Sequence, residues 1–160
     1  MRKRSKYKPR GVRVDTLAYV MSSIKKFDDL SMSVDLRIKN HAAMEALRKG
    51  EASKADIEVL IGAFNMVEAF SRLRENLGAD WSTEIREAQD ALLALARRGV
   101  EQGKFICKGP ELVALNLAME IHDAQLDTVT VQDMERAIET VEREFRSGHA
   151  RPIVKLAGAV

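Results

Sequence analysis

Residues 53–77, SKADIEVLIGAFNMVEAFSRLRENL, constrain the fold more than any other stretch, with no proline and a single glycine, Gly62. Set out at about 100° per residue, Ile57, Val59, Leu60, Ala63, Phe64, Met66, Val67, Phe70, Leu73 and Leu77 spread over more than half of a helix circumference. Glu58, Asn65, Arg72 and Asn76 share one narrow polar strip. A surface helix needs only one apolar stripe, so a helix this apolar has to be covered from at least two sides. The rest of the chain must supply that cover. With 160 residues it is one ordinary domain, long enough to bury about two-thirds of the surface its unfolded form exposes.

The flanking segments supply helices. Asp15 is placed to cap a first helix with the stripe Leu17, Val20, Met21 and Ile24, ending near Lys26. Phe27 to Ser31 reads as a loop. Met32, Val34, Leu36 and Ile38 alternate with polar residues, which is strand periodicity, whereas NHAAMEALRKG from Asn40 is helical and stops at Gly50. Helix from about Ser33 to Lys49 is the expectation, with a short strand near 32–38 left open. Ser53 and Asp56 form a capping box for the central helix, and Gly78 closes it. Ser82 is the expected cap of a helix to about Gln102, with stripe Ile85, Ala88, Leu92, Leu95, Ala96 and Gly99. Its small residues invite a close backbone approach, with Gly62 or Ala69 opposite. Pro110 opens the next helix, which carries two apolar faces around a polar strip. Thr130 and Asp133 cap the last one, with stripe Met134, Ala137, Ile138, Val141 and Phe145, and with Glu139–Arg143 and Glu142–Arg146 pairs outside. The expected fold is all-α: a compact bundle of about five helices over residues 14–148, with the helix of residues 53–77 buried at its centre. Residues 149–160 are read as a C-terminal tail.

The net charge of +2 conceals an uneven layout. Residues 1–13 hold Arg2, Lys3, Arg4, Lys6, Lys8, Arg10 and Arg13 with no acid, a local charge of +7. Residues 14–145 carry 16 basic and 24 acidic residues, a net of −8, and the remainder adds +3. Pro9, Gly11 and the lack of hydrophobic periodicity make residues 1–13 a flexible, disordered basic arm. Seven cations suit phosphate neutralisation, and Tyr7 can stack on a base. The competing readings are a solubilising tail laid on the acidic body and an arm for an acidic partner protein. Such an arm carries no sequence specificity, because phosphate contacts position and base contacts specify.

Other chemistries find little support. Ala46, Gly50 and Ile57 imitate a helix-turn-helix, but the spacing is off by one and the second helix would be the apolar central one, with Arg72 its one strip cation. The residues three before His41, His122 and His149 are Ile38, Met119 and Arg146, so the Glu-x-x-His pairs of a dimetal bundle are missing. His122 reads as a hydrogen-bonded core histidine and His41 as an i,i+4 contact of Glu45. Asn116, Glu120, Asp123 and Asp127 read as a solvated acidic strip. No GxGxxG, Walker loop, HExxH or cysteine pair occurs, and Cys107 has no nearby histidine to activate it. No catalytic residue, metal or cofactor is expected. The longest apolar run, Ala91 to Ala96, is too short to span a bilayer, no apolar segment follows the basic start, and one cysteine fits a reducing cytoplasm.

KYKPRGVRVDTLAYV at residues 6–20 and LNLAMEIHDAQLDTVTVQDMERAI at 115–138 together resemble a group of small proteins carried by phages and prophages of proteobacteria. The resemblance runs over most of the chain and brings no activity or catalytic residue with it. It implies expression in a bacterial host cytoplasm and a regulatory or host-directed role. The expectation is a non-enzymatic accessory protein that contacts nucleic acid, or a host nucleic-acid machine, through Arg2, Lys3, Arg4, Lys6, Tyr7, Lys8, Arg10 and Arg13. The alternative is a protein-directed factor, a host-enzyme inhibitor or assembly subunit, whose acidic helical surface mimics phosphates. Two helices with wide apolar arcs also leave a homodimer open.

Overall fold

The computed structural model describes residues 16–148. The basic arm of residues 1–13, the Asp15 cap and the tail of residues 149–160 lie outside the described residues. Six α-helices follow in order among them: α1 (Thr16–Ile24), α2 (Ser31–Lys49), α3 (Lys54–Leu73), α4 (Ser82–Gln102), α5 (Gly109–Thr128) and α6 (Val131–Arg146). Among the described residues the one extended pairing is a single antiparallel bridge, Lys26 to Thr130, where Phe27 N–H donates to the Val129 carbonyl (3.0 Å) and Val131 N–H to the Lys25 carbonyl (2.9 Å). It ties the turn after α1 to the entrance of α6.

α3 is the buried centre, packed against α2, α4, α5 and α6. Its start is fixed locally: Asp56 N–H donates to Ser53 Oγ (3.3 Å) while Ser53 N–H donates to Asp56 Oδ2 (2.8 Å). Two apolar clusters hang on it. Ile57, Leu60, Phe64 and Val67 meet residues of α2, α4 and α5, and further along Phe70 meets Phe27, Leu126, Met134 and Ala137. At roughly 1.5–3 kcal/mol for each large apolar side chain withdrawn from water, this double burial outweighs the poor propensity of a mid-helix glycine.

The structure corrects several local expectations. α3 stops at Leu73 rather than Leu77, because Arg74 is extended (φ −150°, ψ 146°) and residues 75–77 form a 3₁₀ turn. Arg74 is drawn aside by an ion pair with Asp133, the carboxylate of the α6 capping box. The turn lets Leu77 dip into the second cluster, and the buried Gln125 amide donates to the Val67 (3.1 Å) and Leu77 (2.7 Å) carbonyls. Residues 32–38 are helix, in line with the helix expected from about Ser33 to Lys49, and the strand left open there does not form. Of the alternating residues Met32, Val34 and Ile38 are more than half exposed while Leu36 packs on the second cluster, and the buried residues of α2 are Ser33, Asn40, Ala43, Met44 and Leu47. Phe27–Asp29 is a 3₁₀ turn with Phe27 buried, not an open loop.

Ser82 is the first residue of α4 and makes no cap bond, Trp81 occupying the cap position. Gly99 makes no helix–helix crossing with Gly62 or Ala69; a Cβ there would lie inside the Phe105 ring, which folds back over α4 from the connector. Gly62 has open space instead, with nothing within 4 Å of where a Cβ would be. The stripe of α1 is not buried, since Leu17, Val20, Met21 and Ile24 are all 46–71% exposed. On α6, Met134 and Ala137 are buried while Ile138 and Phe145 are exposed, and Arg143 turns to Thr140 (3.1 Å). The Glu142–Arg146 pair is present at 3.1 Å.

Candidate functional site

Within the helical body, charged and polar side chains converge at the seam where α2 crosses α5 and at the cleft beside it. α5 begins at a sharp start set by Pro110 and by Glu111, whose carboxylate accepts from the Lys108 N–H (2.9 Å) and from both terminal nitrogens of Arg98 (2.6 and 2.7 Å). The Arg98 fork holds the Glu111 carboxyl below the usual carboxylate range, against the opposing effect of partial burial. From there the polar strip Asn116, Glu120, Asp123 and Asp127 runs along the helix, one turn or so per residue.

That strip is not a free acidic face. Arg37 of α2 reaches across and pairs with Asp123 (3.4 Å), with Asp127, and with Asp28 (3.3 Å). His41 Nε2 lies 2.8 Å from Asp123 Oδ2, so His41 contacts Asp123 and not Glu45. Glu45 instead pairs with Arg48 (2.6 Å) and Lys49 (3.4 Å), whose hydrogen bonds hold its carboxyl low. Arg48 also donates to Asn116 Oδ1 (3.1 Å). Three residues of α2 spaced as Arg37, His41 and Arg48 thus stand opposite three of the four strip residues. Their common face follows from the helical spacing of α2.

His122 is the second departure from expectation. It is 1% exposed, as a core residue should be, but neither ring nitrogen has a hydrogen-bond partner. Burial pushes its pKa down to about 4; the Asp123 carboxylate opposes this, and Arg37 and His41 reinforce it. The imidazole is therefore neutral at pH 7, stacked against Phe70 with ring centroids 6.4 Å apart. Asn40, 2% exposed, likewise has an unpartnered amide nitrogen. Both residues line a cleft of about 450 Å³ between α2 and α3. In sequence the signal for Asn40 was its place on the helical face of Leu36, Ala43, Met44 and Leu47, a single polar residue among apolar ones.

Cys107 is half-buried, and burial first, then Glu111, push its thiol up to about 11, with Arg98 only partly offsetting them. It is a protonated thiol at neutral pH and a poor nucleophile. Among the described residues no three His, Cys, Asp or Glu side chains converge as metal ligands would. No helix there is long and apolar enough to cross a membrane. In comparisons with protein-family models, curated proteins and solved structures, the chain matched none.

Proposed function

We propose that this chain is a non-enzymatic accessory binding protein of the phage and prophage type. It acts in the bacterial cytoplasm on nucleic acid, or on a nucleic-acid machine, through its basic N-terminal arm. The observation that carries the reading is the separation of charge: +7 in residues 1–13 against −8 in residues 14–145. The helical body strengthens it. Arg37, Arg48, Arg72, Arg74 and Arg98 are each held by carboxylates of the body itself, so these cations are already committed. The arm's sequence, by contrast, contains no acid to compete with a polyanion for its cations.

A second reading, a protein-directed factor using an acidic surface, draws support from α6 rather than from α5. The α5 strip is bridged to α2, whereas Glu135, Glu139 and Glu142 are exposed on α6 beside the exposed Ile138 and Phe145. Acids flanking apolar side chains suit a basic protein groove better than a phosphate backbone. Binding to duplex DNA, single-stranded DNA and RNA across a salt series, with the full chain and with residues 1–13 removed, distinguishes the two. The arm reading expects low-salt binding that the truncation abolishes; binding indifferent to the truncation would sink it.

A further inference from the structure

A second groove, of about 360 Å³, lies between α5 and the turn that follows α3. The turn is pinned in place. The buried Gln125 amide donates to the Leu77 carbonyl (2.7 Å), and a Cβ on Gly78 (φ 97°) would lie 3.6 Å from the Ile121 side chain. Leu117 and Ile121 give the groove an apolar wall. Two of its other lining residues are open to solvent. Trp81, the one tryptophan of the chain, is 47% exposed. Glu120 is the one charged residue of the lining; it is exposed and has no ion pair among the described residues. Glu75 and Asp80, next in sequence to the lining residues Asn76 and Trp81, are likewise exposed and unpaired there. An open indole and an unpaired carboxylate in one groove suit a cation, which the ring quadrupole and the negative charge both attract. At the α2–α5 seam, by contrast, an arginine of the body already fills that role.

We propose that this groove holds the chain's own basic segment, a cation of residues 1–13 resting on Trp81 and Glu120, and that a polyanion draws the segment off. Charge and reach both favour this occupant. Residues 1–13 hold seven cations and no acid. The bridge from Lys26 to Thr130 fixes the end of α1 close to Thr128, which lines the groove. α1 rises about 1.5 Å for each of its 9 residues, which sets Thr16 within roughly 30 Å of Thr128. The residues before Thr16 span up to about 50 Å when extended. Magnitude separates this segment from an independent basic partner. One cation–π contact and one exposed ion pair are weak, and at a dissociation constant of about 1 mM a free partner at micromolar concentration leaves the groove almost empty. A tethered segment meets it at an effective concentration on the order of 1 mM, enough to fill it about half of the time. The release step rests on the reading of the arm as the polyanion-binding element; the docking step does not.

Trp81 reports on the groove directly, since the chain has no second tryptophan. The test is acrylamide quenching of its fluorescence, in the full chain and in the chain lacking residues 1–13. Ionic strengths of about 0.01 M and about 1 M are compared, between which the Debye length shrinks from roughly 30 Å to 3 Å. At low salt the full chain is expected to quench about half as efficiently as the truncated one, and at high salt the two should coincide. Glu120→Lys in the full chain should abolish the low-salt protection. Glu101→Lys, the same change of charge at another exposed position, should leave it. Long-chain inorganic polyphosphate should raise quenching of the full chain to that of the truncated one. Docking is overturned by equal quenching of the two chains at low salt, or by protection that Glu120→Lys leaves or Glu101→Lys also removes. Protection that grows with protein concentration overturns it too, because a second copy's segment would then fill the groove. Release is overturned by protection that polyphosphate leaves intact. A segment that docks but binds no nucleic acid counts against the functional reading alone; nucleic-acid binding with Trp81 unprotected counts against docking alone.

Discussion

His122 shows how one buried side chain links packing to solution behaviour. Its folded pKa of about 4 lies below the roughly 6.5 of an unfolded histidine. Between those values the unfolded chain binds more protons than the folded one, so stability rises with pH through that window and is lost as pH falls. The contribution is intact at pH 7. By pH 5 roughly 2 kcal/mol should have gone, at about 1.36 kcal/mol per pH unit below the unfolded value. Urea denaturation at pH 7, 6 and 5 should show His122→Phe losing less stability than the parent on acidification, by about that amount. The glycines give a contrast at the same scale. Gly99→Ala brings a Cβ onto the Phe105 ring and should destabilise by about 1–3 kcal/mol despite alanine's better helix propensity. Pairing it with Phe105→Leu should restore part of the loss. Gly62→Ala meets open space and should stabilise by up to about 1 kcal/mol, so melting curves should move in opposite directions for the same substitution type.

Among elements, α3 bears the most. Phe64 is 1% exposed in the larger cluster, and Phe64→Ala should cost roughly 3–5 kcal/mol by leaving a cavity that helices on several sides cannot all collapse into. Chemical denaturation of the variant checks this, and a cost below about 1 kcal/mol would remove α3 from its central role. How far each element was legible in sequence depended on how local its determinants were. The Ser53–Asp56 and Thr130–Asp133 capping boxes are built within four residues, and both form as the sequence suggests. The end of α3 is set by Asp133, 59 residues from Arg74, and no proline or glycine at that point announces it. α2 is helical as expected from about Ser33 to Lys49, and the strand kept open over residues 32–38 rested on a misleading alternation. Met32, Val34 and Ile38 alternate as a strand would, yet all three face outward, and a periodicity carried by exposed residues says little about the backbone beneath. The polar strip of α5 was readable from its spacing. That it faces Arg37, His41 and Arg48 was not, because spacing along one helix is silent about which charges another helix lays across it.

For the whole molecule, the decisive quantity is where uncompensated charge lies. Within the body, arginines close onto acids along α2–α5, α3–α6 and α4–α5, and such exposed pairs contribute little individually to stability. Their larger effect is to quiet the field of the surfaces that bear them, leaving the seven cations of residues 1–13 as the densest single-sign run in the sequence. A duplex laid broadly on the body would meet net negative charge, so contact should be confined to the arm. If about five of its cations meet phosphates, the logarithm of the association constant should fall with the logarithm of salt concentration at a slope of roughly −4 to −5. Replacing Arg2, Lys3 and Arg4 by glutamine should then flatten that slope by nearly three and weaken every sequence alike, because phosphate contacts carry no base information. The melting temperature should stay within a degree or two of the parent, since the three residues precede the helical body. Fluorescence anisotropy over a salt series reads the slope and thermal denaturation reads the fold. An unchanged slope in the triple variant would move the interaction away from the arm and toward the acidic and apolar face of α6.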